Sequence, residues 1–265
     1  MSLAAGRLVV VRGAGDLGTG CIVRLVRAGF RVVALETARP SAIRRTVSLS
    51  EAVWDGAACV EGVRAIRCES VPDAWSPGDP VPILEDPECR SVELLSPVAL
   101  VDAIVAKRNL GTRLDMAPVV VALGPGFEAG RDAHAVVETN RGHDLGRVIL
   151  RGAAEANTGV PGLVAGQDRA RVLHAPVPGR VETLRSIGDA VEAGDALLSL
   201  EGEVLRTPVG GVVRGLIRPG FAAYAGLKVA DVDPRGVREH CFSVSDKARA
   251  VGGGVLEALL MLAPG

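Results

Sequence analysis

The chain has 265 residues, 48% of them hydrophobic and 23% charged, with a formal net charge of −1. Such a balance offers no bulk basic field for nucleic acid or for an anionic membrane surface. Five cysteines, at 21, 59, 68, 89 and 241, are odd in number and contain no Cys-x-x-Cys, which argues against a disulfide framework, a zinc ribbon or iron–sulfur centres. The opening residues MSLAAGRLVVVRGAG lack a signal peptide's apolar run and cleavage site, and no apolar stretch is long enough for a membrane helix. A cytoplasmic location is expected. Aromatics make up only 3%, so the core must be built from Val, Leu, Ile and Ala.

Residues 7–12, RLVVVR, predict a buried strand. Gly13-Ala14-Gly15-Asp16-Leu17-Gly18 follows, then a helical apolar pattern through Ile22, Val23, Leu25 and Val26 that stops at Gly29. Residues 31–35, RVVAL, predict a second strand, which Glu36 ends. Strand, GxGxxG, helix, strand and acid form the context of dinucleotide binding. Glycines let a pyrophosphate approach the backbone, and an acid about 20 residues on meets a ribose hydroxyl. Gly13, Gly15, Gly18 and Glu36 are therefore candidate cofactor-binding residues. Arg39, Arg44 and Arg45 follow as cations for a phosphate, or as plain surface charge.

Further on, VRAIRC (63–68) and PVPILED (80–86) have strand composition. Ser96-Pro97 predicts a helix over 97–109, with Lys107 and Arg108 in its last turn and Gly111 beyond. APVVVAL (117–123) predicts another buried strand. This alternation implies a mostly parallel sheet, with the turns at 13–18 and 124–126 opening on one edge.

The stretch 124–149, GPGFEAGRDAHAVVETNRGHDLGRVI, gathers the most titratable and anion-binding groups. Asp132, His134 and Glu138 form a candidate catalytic acid/base set on a strand, where His134 and Glu138 share a face. Gly124, Gly126, Arg141, His143 and Arg147 are candidate cofactor-binding residues. The plain alternative is a hydrogen-bond network tying the turn together. No metal site is expected, because no third-ligand spacing is recognisable. Asp231, Asp233, His240 and Cys241 are potential ligands, but Asp-Pro-Arg-Gly (233–236) reads first as a turn.

After a turn-rich link at 159–162 and 166–170, residues 171–217 show short apolar pairs separated by Pro-Gly and Gly-Asp turns. APVPGRV (175–181) is echoed by TPVGGVV (207–213). The pattern resembles the barrel-sandwich hybrid of biotinyl and lipoyl domains, but Glu201-Gly202-Glu203-Val204 stands where those carriers need a lysine. The last predicted element is a helix over 246–262, capped by Ser245. Three glycines at 252–254 are costly inside it and predict either a break or a very close backbone or ligand contact.

RGAGDLGTG (12–20), LGPGFEAGRDAHAVVETNRGHDLGRVI (123–149), NTGVPG (157–162), IGDAVEAGD (187–195) and GLKVADVDPRG through SDKARAVGGGVLEALL (226–260) together resemble the selenium-dependent molybdenum hydroxylase accessory family. That resemblance implies a role in maturation or cofactor supply for such hydroxylases. The partner would be the apoenzyme or its maturation machinery, and a nucleotide or molybdopterin dinucleotide would sit in the Gly13–Gly18 crevice. An NAD(P)-dependent oxidoreductase using His134 or Glu138 is the alternative, as is a non-catalytic docking scaffold. Neither nucleic acid nor membrane is an expected partner, and a homo-oligomer is left open.

The expected fold is α/β: a Rossmann-like, mostly parallel sheet over 1–165, a barrel-sandwich-hybrid-like module over 166–235, and a C-terminal helix over 236–265 packing back on the first domain.

Overall fold

The computed structural model describes residues 6–73, 75–157, 159, 166 and 169–262. The link predicted at 159–162 and 166–170 falls largely outside them. The chain divides into two compact units. Unit 1 comprises Met1–Pro40, Ser48–Asn157 and Val244–Gly265, and unit 2 comprises Ser41–Val47 and Thr158–Ser243.

The first unit is built on one nine-stranded sheet. In chain order its strands are β1 (Leu8–Arg12), β2 (Arg31–Glu36), β3 (Ala57–Val60), β4 (Val63–Cys68), β5 (Val81–Glu85), β6 (Ala99–Asp102), β7 (Val119–Leu123), β9 (Ala135–Val137) and β10 (Val148–Ile149). The short strands β8 (Glu128–Ala129) and β11 (Gly152–Ala153) pair separately. The spatial order is β10-β9-β7-β6-β1-β2-β5-β4-β3. Neighbours from β4 to β9 run parallel, while β3 and β10 join the two edges antiparallel. The central strands are buried along their length and continuously apolar, as strands covered on both faces must be. Val10, Val33, Leu100, Val120 and Val136 pack together across one face.

Helix α1 (Asp16–Arg27) crosses from β1 to β2 and stops in a Schellman turn. Gly29 sits at φ +94°, its amide donates to Val26 O, and the Phe30 amide donates to Leu25 O. Among the described residues, the remaining parallel connections carry only α2 (Ala52–Asp55), α3 (Ser91–Leu95) and 3-10 turns. The Rossmann-like winding expected from the sequence is therefore corrected to a large mixed sheet with a single long crossover helix. The helix expected over 97–109 is also absent. Ser96 has φ +43°, and Ala99–Asp102 is strand β6, hydrogen-bonded between β1 and β7. Two parallel neighbours in need of partners override local capping signals there.

Helix α4 (Asp246–Leu262) runs unbroken through its three glycines. A Cβ on Gly252 would lie 2.7 Å from the carbonyl oxygen of Gly20 in α1, and one on Gly254 would lie 2.1 Å from Gly146 O. These glycines allow backbones to touch. Ser245 Oγ accepts the Ala248 amide at 3.1 Å and caps the helix.

The second unit contains two four-stranded antiparallel sheets. One is formed by β12 (Val172–His174), β14 (Ala190–Val191), β17 (Gly211–Leu216) and β19 (Lys228–Asp233), in the order β12-β19-β17-β14. The other is formed by β13 (Gly179–Thr183), β15 (Ala196–Leu200), β16 (Glu203–Arg206) and β18 (Ala222–Ala223), in the order β16-β15-β13-β18. Leu197, Leu198, Leu200, Leu216, Ile217 and Val229 fill its core. The barrel-sandwich-hybrid expectation is corrected to this pair of sheets. Pro-Gly and Gly-Asp turns specify hairpins, which many antiparallel arrangements satisfy.

At the place of a carrier lysine, Glu201 folds back so that its carboxylate accepts the Arg180 amide at 3.1 Å. Arg45 Nε donates to Leu216 O, and an Arg44 Nη donates to His240 O. Asp231 pairs with Arg171 at 2.5 Å, and Asp233 pairs with Arg235 at 2.6 Å and with Arg214 at 3.6 Å. Burial alone would raise the Asp233 carboxyl, but the arginines and the Arg235 amide hold it below the usual carboxylate range. No cluster of three or more metal-ligating side chains occurs among the described residues.

Candidate functional site at the carboxyl edge of the sheet

Strand β1 ends at Arg12, and the chain turns through Gly13-Ala14-Gly15 into α1. The Gly13 amide donates to Leu35 O at 2.8 Å. Gly13 is required here by its φ of +95° and by the backbone of Ala103 and Ile104, about 3 Å from where a Cβ would stand. Gly18 is required because its Cβ would meet Gly13 O at 2.0 Å. Gly15 differs from both. It has φ −67° and ψ −168°, open to any residue, and no atom lies within 4 Å of its missing side chain. It occupies the N-cap of α1, a 12-residue helix that has no side-chain cap and carries Asp16 in its first turn.

The turn is held rigid from two sides. One Glu36 oxygen accepts the Ala14 amide at 2.6 Å and the other accepts the Thr37 amide at 3.0 Å. Burial pushes the Glu36 carboxyl above its ordinary range, and the two amides only partly offset this. Ala14 O in turn accepts the Ser50 amide and the Thr19 hydroxyl, both at 2.9 Å.

Beside the glycine turn lies the loop after β6. Its footing is a buried polar network. Asp102 accepts the Thr112 hydroxyl at 2.6 Å and the Ile104 amide at 3.1 Å, and Arg12 lies 3.4 Å away. Arg12 also donates to Thr112 Oγ1, Pro87 O and Leu110 O, at 2.9, 2.7 and 3.0 Å. Above this footing, Val105 has φ +57° and Lys107 has φ +63°. A β-branched residue in the left-handed region is an outlier worth about 1–3 kcal/mol, and such strain persists where surrounding structure imposes it. Gly126, at φ +103°, allows the backbone of Lys107 and Arg108 to pass within about 2.5 Å of its missing Cβ. Lys107 and Arg108 are exposed, and neither forms an ion pair among the described residues.

The sequence-predicted residues divide between two edges. Strands β7 and β9 run parallel, so Glu138 follows β9 at the carboxyl edge while His134 precedes it at the amino edge. Their Cα atoms are separated by four extended residues, roughly 13 Å. His134 is hydrogen-bonded to the backbone of β7: its Nδ1 accepts the Val120 amide at 2.9 Å and its own amide donates to Val120 O at 2.8 Å. Glu138, buried, accepts the amides of Thr139, Asn140 and Glu155, each at 2.7 Å. The Arg131 guanidinium, together with the Glu128 amide, holds the Asp132 carboxyl below its usual range. The three groups do not converge on one reacting atom.

Gly124, at φ +72°, is packed against Thr139. Arg141 forms a two-point ion pair with Asp246, Arg147 pairs with Asp144 at the surface, and His143 is exposed. The structure thus brings together Gly13, Gly15, Gly18 and Glu36 at one turn. The loop after β6 meets Gly13 at Ala103 and Ile104 and meets Gly126 at Lys107 and Arg108, two cations expected on a helix from the sequence. The short apolar run ALVD followed by Asn109 and Gly111 was the available sign of a strand and loop.

No family model matches the chain. Over 258 residues it is 50% identical to the uncharacterized protein YqeB of Escherichia coli K12, covering 97% of this chain and 48% of that protein. The chain spans about half the length of the curated relative it matches. Among solved structures it is similar to an aspartoacylase family protein from Mesorhizobium loti, at 16% identity and a TM-score of 0.27, covering 86% of this chain and 84% of that one. A succinylglutamate desuccinylase from Silicibacter sp. TM1040 matches at 15% identity and a TM-score of 0.26, with 86% and 85% covered. At such scores the likeness carries no argument about activity.

These comparisons correct the family resemblance read from the motifs. The relative found is uncharacterized, and the structures found are of aspartoacylase and desuccinylase type, not molybdenum hydroxylase accessory proteins. The maturation role, its selenium link and its molybdopterin dinucleotide are set aside with it. The NAD(P)-dependent oxidoreductase and the apo-hydroxylase docking scaffold are set aside too. For the oxidoreductase, the geometry adds that His134 and Glu138 lie at opposite edges. No described helix is long and apolar enough to cross a membrane.

Proposed function

We propose that the first unit binds a small anionic molecule, carrying a phosphate or carboxylate group, at the carboxyl edge of its sheet. The anion would rest against the open N-terminus of α1 at Gly15, with Lys107 and Arg108 at its side. The observation that carries this reading is Gly15 itself: neither its backbone angles nor its neighbours call for a glycine. A missing side chain at a helix N-terminus leaves room for an anion to reach backbone amides. The strained, cationic loop beside it is held in place by the Arg12–Asp102–Thr112 network, which fits a ligand clamp. Glu36 serves the site indirectly, by fixing the turn from behind.

The test is calorimetric titration of inorganic phosphate, pyrophosphate and succinate into wild type, Gly15→Asp and Lys107→Gln. With nothing within 4 Å of Gly15, the Asp variant should fold normally. It should lose at least about tenfold in affinity, since one charge-assisted hydrogen bond is worth roughly 1.5–3 kcal/mol. Lys107→Gln should weaken binding less and flatten its salt dependence. Unchanged affinity in a folded Gly15→Asp protein would remove the site.

A further inference from the structure

A second cationic site lies between α1 and α4. Gly20 and Gly252 let these helices touch, which brings Arg24 and Arg27 of α1 to the same cavity as Arg249 of α4. The cavity has a volume of about 280 Å³, and Val23, Val244 and Leu256 form its apolar wall. One carboxylate enters it. Glu61, at φ +48° in the two-residue turn between β3 and β4, accepts the Val244 amide at 3.0 Å. Its carboxylate lies 3.1 Å from Arg27 and 3.7 Å from Arg249. Arg24 forms no ion pair among the described residues.

Three arginines thus line one cavity that holds one carboxylate. Arg24 and Arg27 are in the last turn of α1, where cations suit the helix dipole. Arg249 stands in the first turn of α4, where a cation opposes the dipole, and beside two more arginines. An anion between the helices removes both conflicts. Arginine is also the side chain best shaped for two-point contact with a phosphate.

We propose that this cavity binds a phosphate group, free or on a small molecule, through Arg24, Arg27 and Arg249, and that Glu61 is a built-in competitor occupying part of the site. The phosphate takes Arg24 first and draws Arg27 and Arg249 from Glu61, whose carboxylate stays on the Val244 amide.

The test titrates inorganic phosphate into Gly15→Asp protein, so that the sheet-edge site does not contribute. Millimolar phosphate should bind, and Arg24→Gln should weaken it about tenfold or more. Glu61→Gln keeps an acceptor for Val244 while removing the competing charge, and should tighten binding several-fold. Arg249→Gln, which alters no buried contact, serves as a second variant should the hairpin variant misfold. The proposal is overturned by absent phosphate binding, by binding indifferent to both arginine substitutions, or by weaker binding in folded Glu61→Gln.

Discussion

Adjacent glycines in α4 should respond to alanine with opposite signs. Gly253 has nothing within 4 Å of its missing Cβ, whereas a Cβ on Gly254 would stand 2.1 Å from Gly146 O and 2.9 Å from Val137 Cγ1. Gly253→Ala therefore gains helix propensity without a clash, worth about 1 kcal/mol. Gly254→Ala gains the same propensity but must separate two backbones by more than an ångström to reach ordinary contact, which begins at 3.4 Å. Overpacking of this kind costs about 1–3 kcal/mol or more, and the obstacle here is a carbonyl with no flexible end. The net prediction is stabilisation at 253, destabilisation at 254, and a gap of roughly 1–3 kcal/mol or more between them, because the shared gain in propensity cancels. Urea unfolding followed by tryptophan fluorescence reads this directly, because Trp54 and Trp75 both belong to the unit that contains α4. A Gly254→Ala protein as stable as wild type would refute the close approach of α4 to the 146 turn.

Asp102→Asn should cost about 3–5 kcal/mol in the same assay, since it leaves the buried Arg12 charge uncompensated and sets an amide N–H₂ against the Thr112 hydroxyl; a loss under 1 kcal/mol would show that the network does not support the loop. Glu36 has a folded pKa raised above its ordinary 4.5, so its contribution to stability is fully present below 4.5 and is lost as pH rises through the folded value. The stability of wild type relative to Glu36→Gln should therefore improve as pH falls from neutral towards 4.5, and a flat difference would contradict the burial of that charge. Cys59 is exposed, whereas burial pushes the Cys21 thiol to about 12 and the Cys89 thiol to about 11. A thiol reagent at mildly alkaline pH should show one fast phase that Cys59→Ser removes, and a fast phase surviving in that variant would place another thiol at the surface.

The parts legible in the sequence were those where local pattern and tertiary need agree. LVVVR, RVVAL and VVVAL are continuous β-branched runs, and each is a buried strand of the parallel core. The stop of α1 at Gly29 followed from a residue that must take positive φ. The segment 97–109 failed because Ser-Pro at one end and Lys-Arg-Asn at the other are helix signals of short range, while the deciding fact was a gap between β1 and β7 that a strand had to fill. The winding as a whole was illegible for a similar reason: no local pattern tells that β4 and β5 extend the sheet beyond β2.

Glu36 and Arg141 show why the site was harder to read than the strands. The spacing from Gly15 correctly brings Glu36 to the turn, yet spacing is blind to what the carboxylate bonds, and it is committed to the Ala14 and Thr37 amides. Arg141 was attractive for its charge, but it is committed to Asp246. Ligand chemistry belongs to groups the fold leaves uncommitted, and commitment is a property of tertiary partners. Gly13, Gly18, Gly124 and Gly126 are each demanded by a backbone angle or a neighbour, so the motif would survive with no ligand at all. Gly15 alone among the motif glycines has no such demand, and it sits at the N-cap of a helix that no side chain caps. The glycine that carries the functional argument is therefore the one whose conformation any residue could adopt.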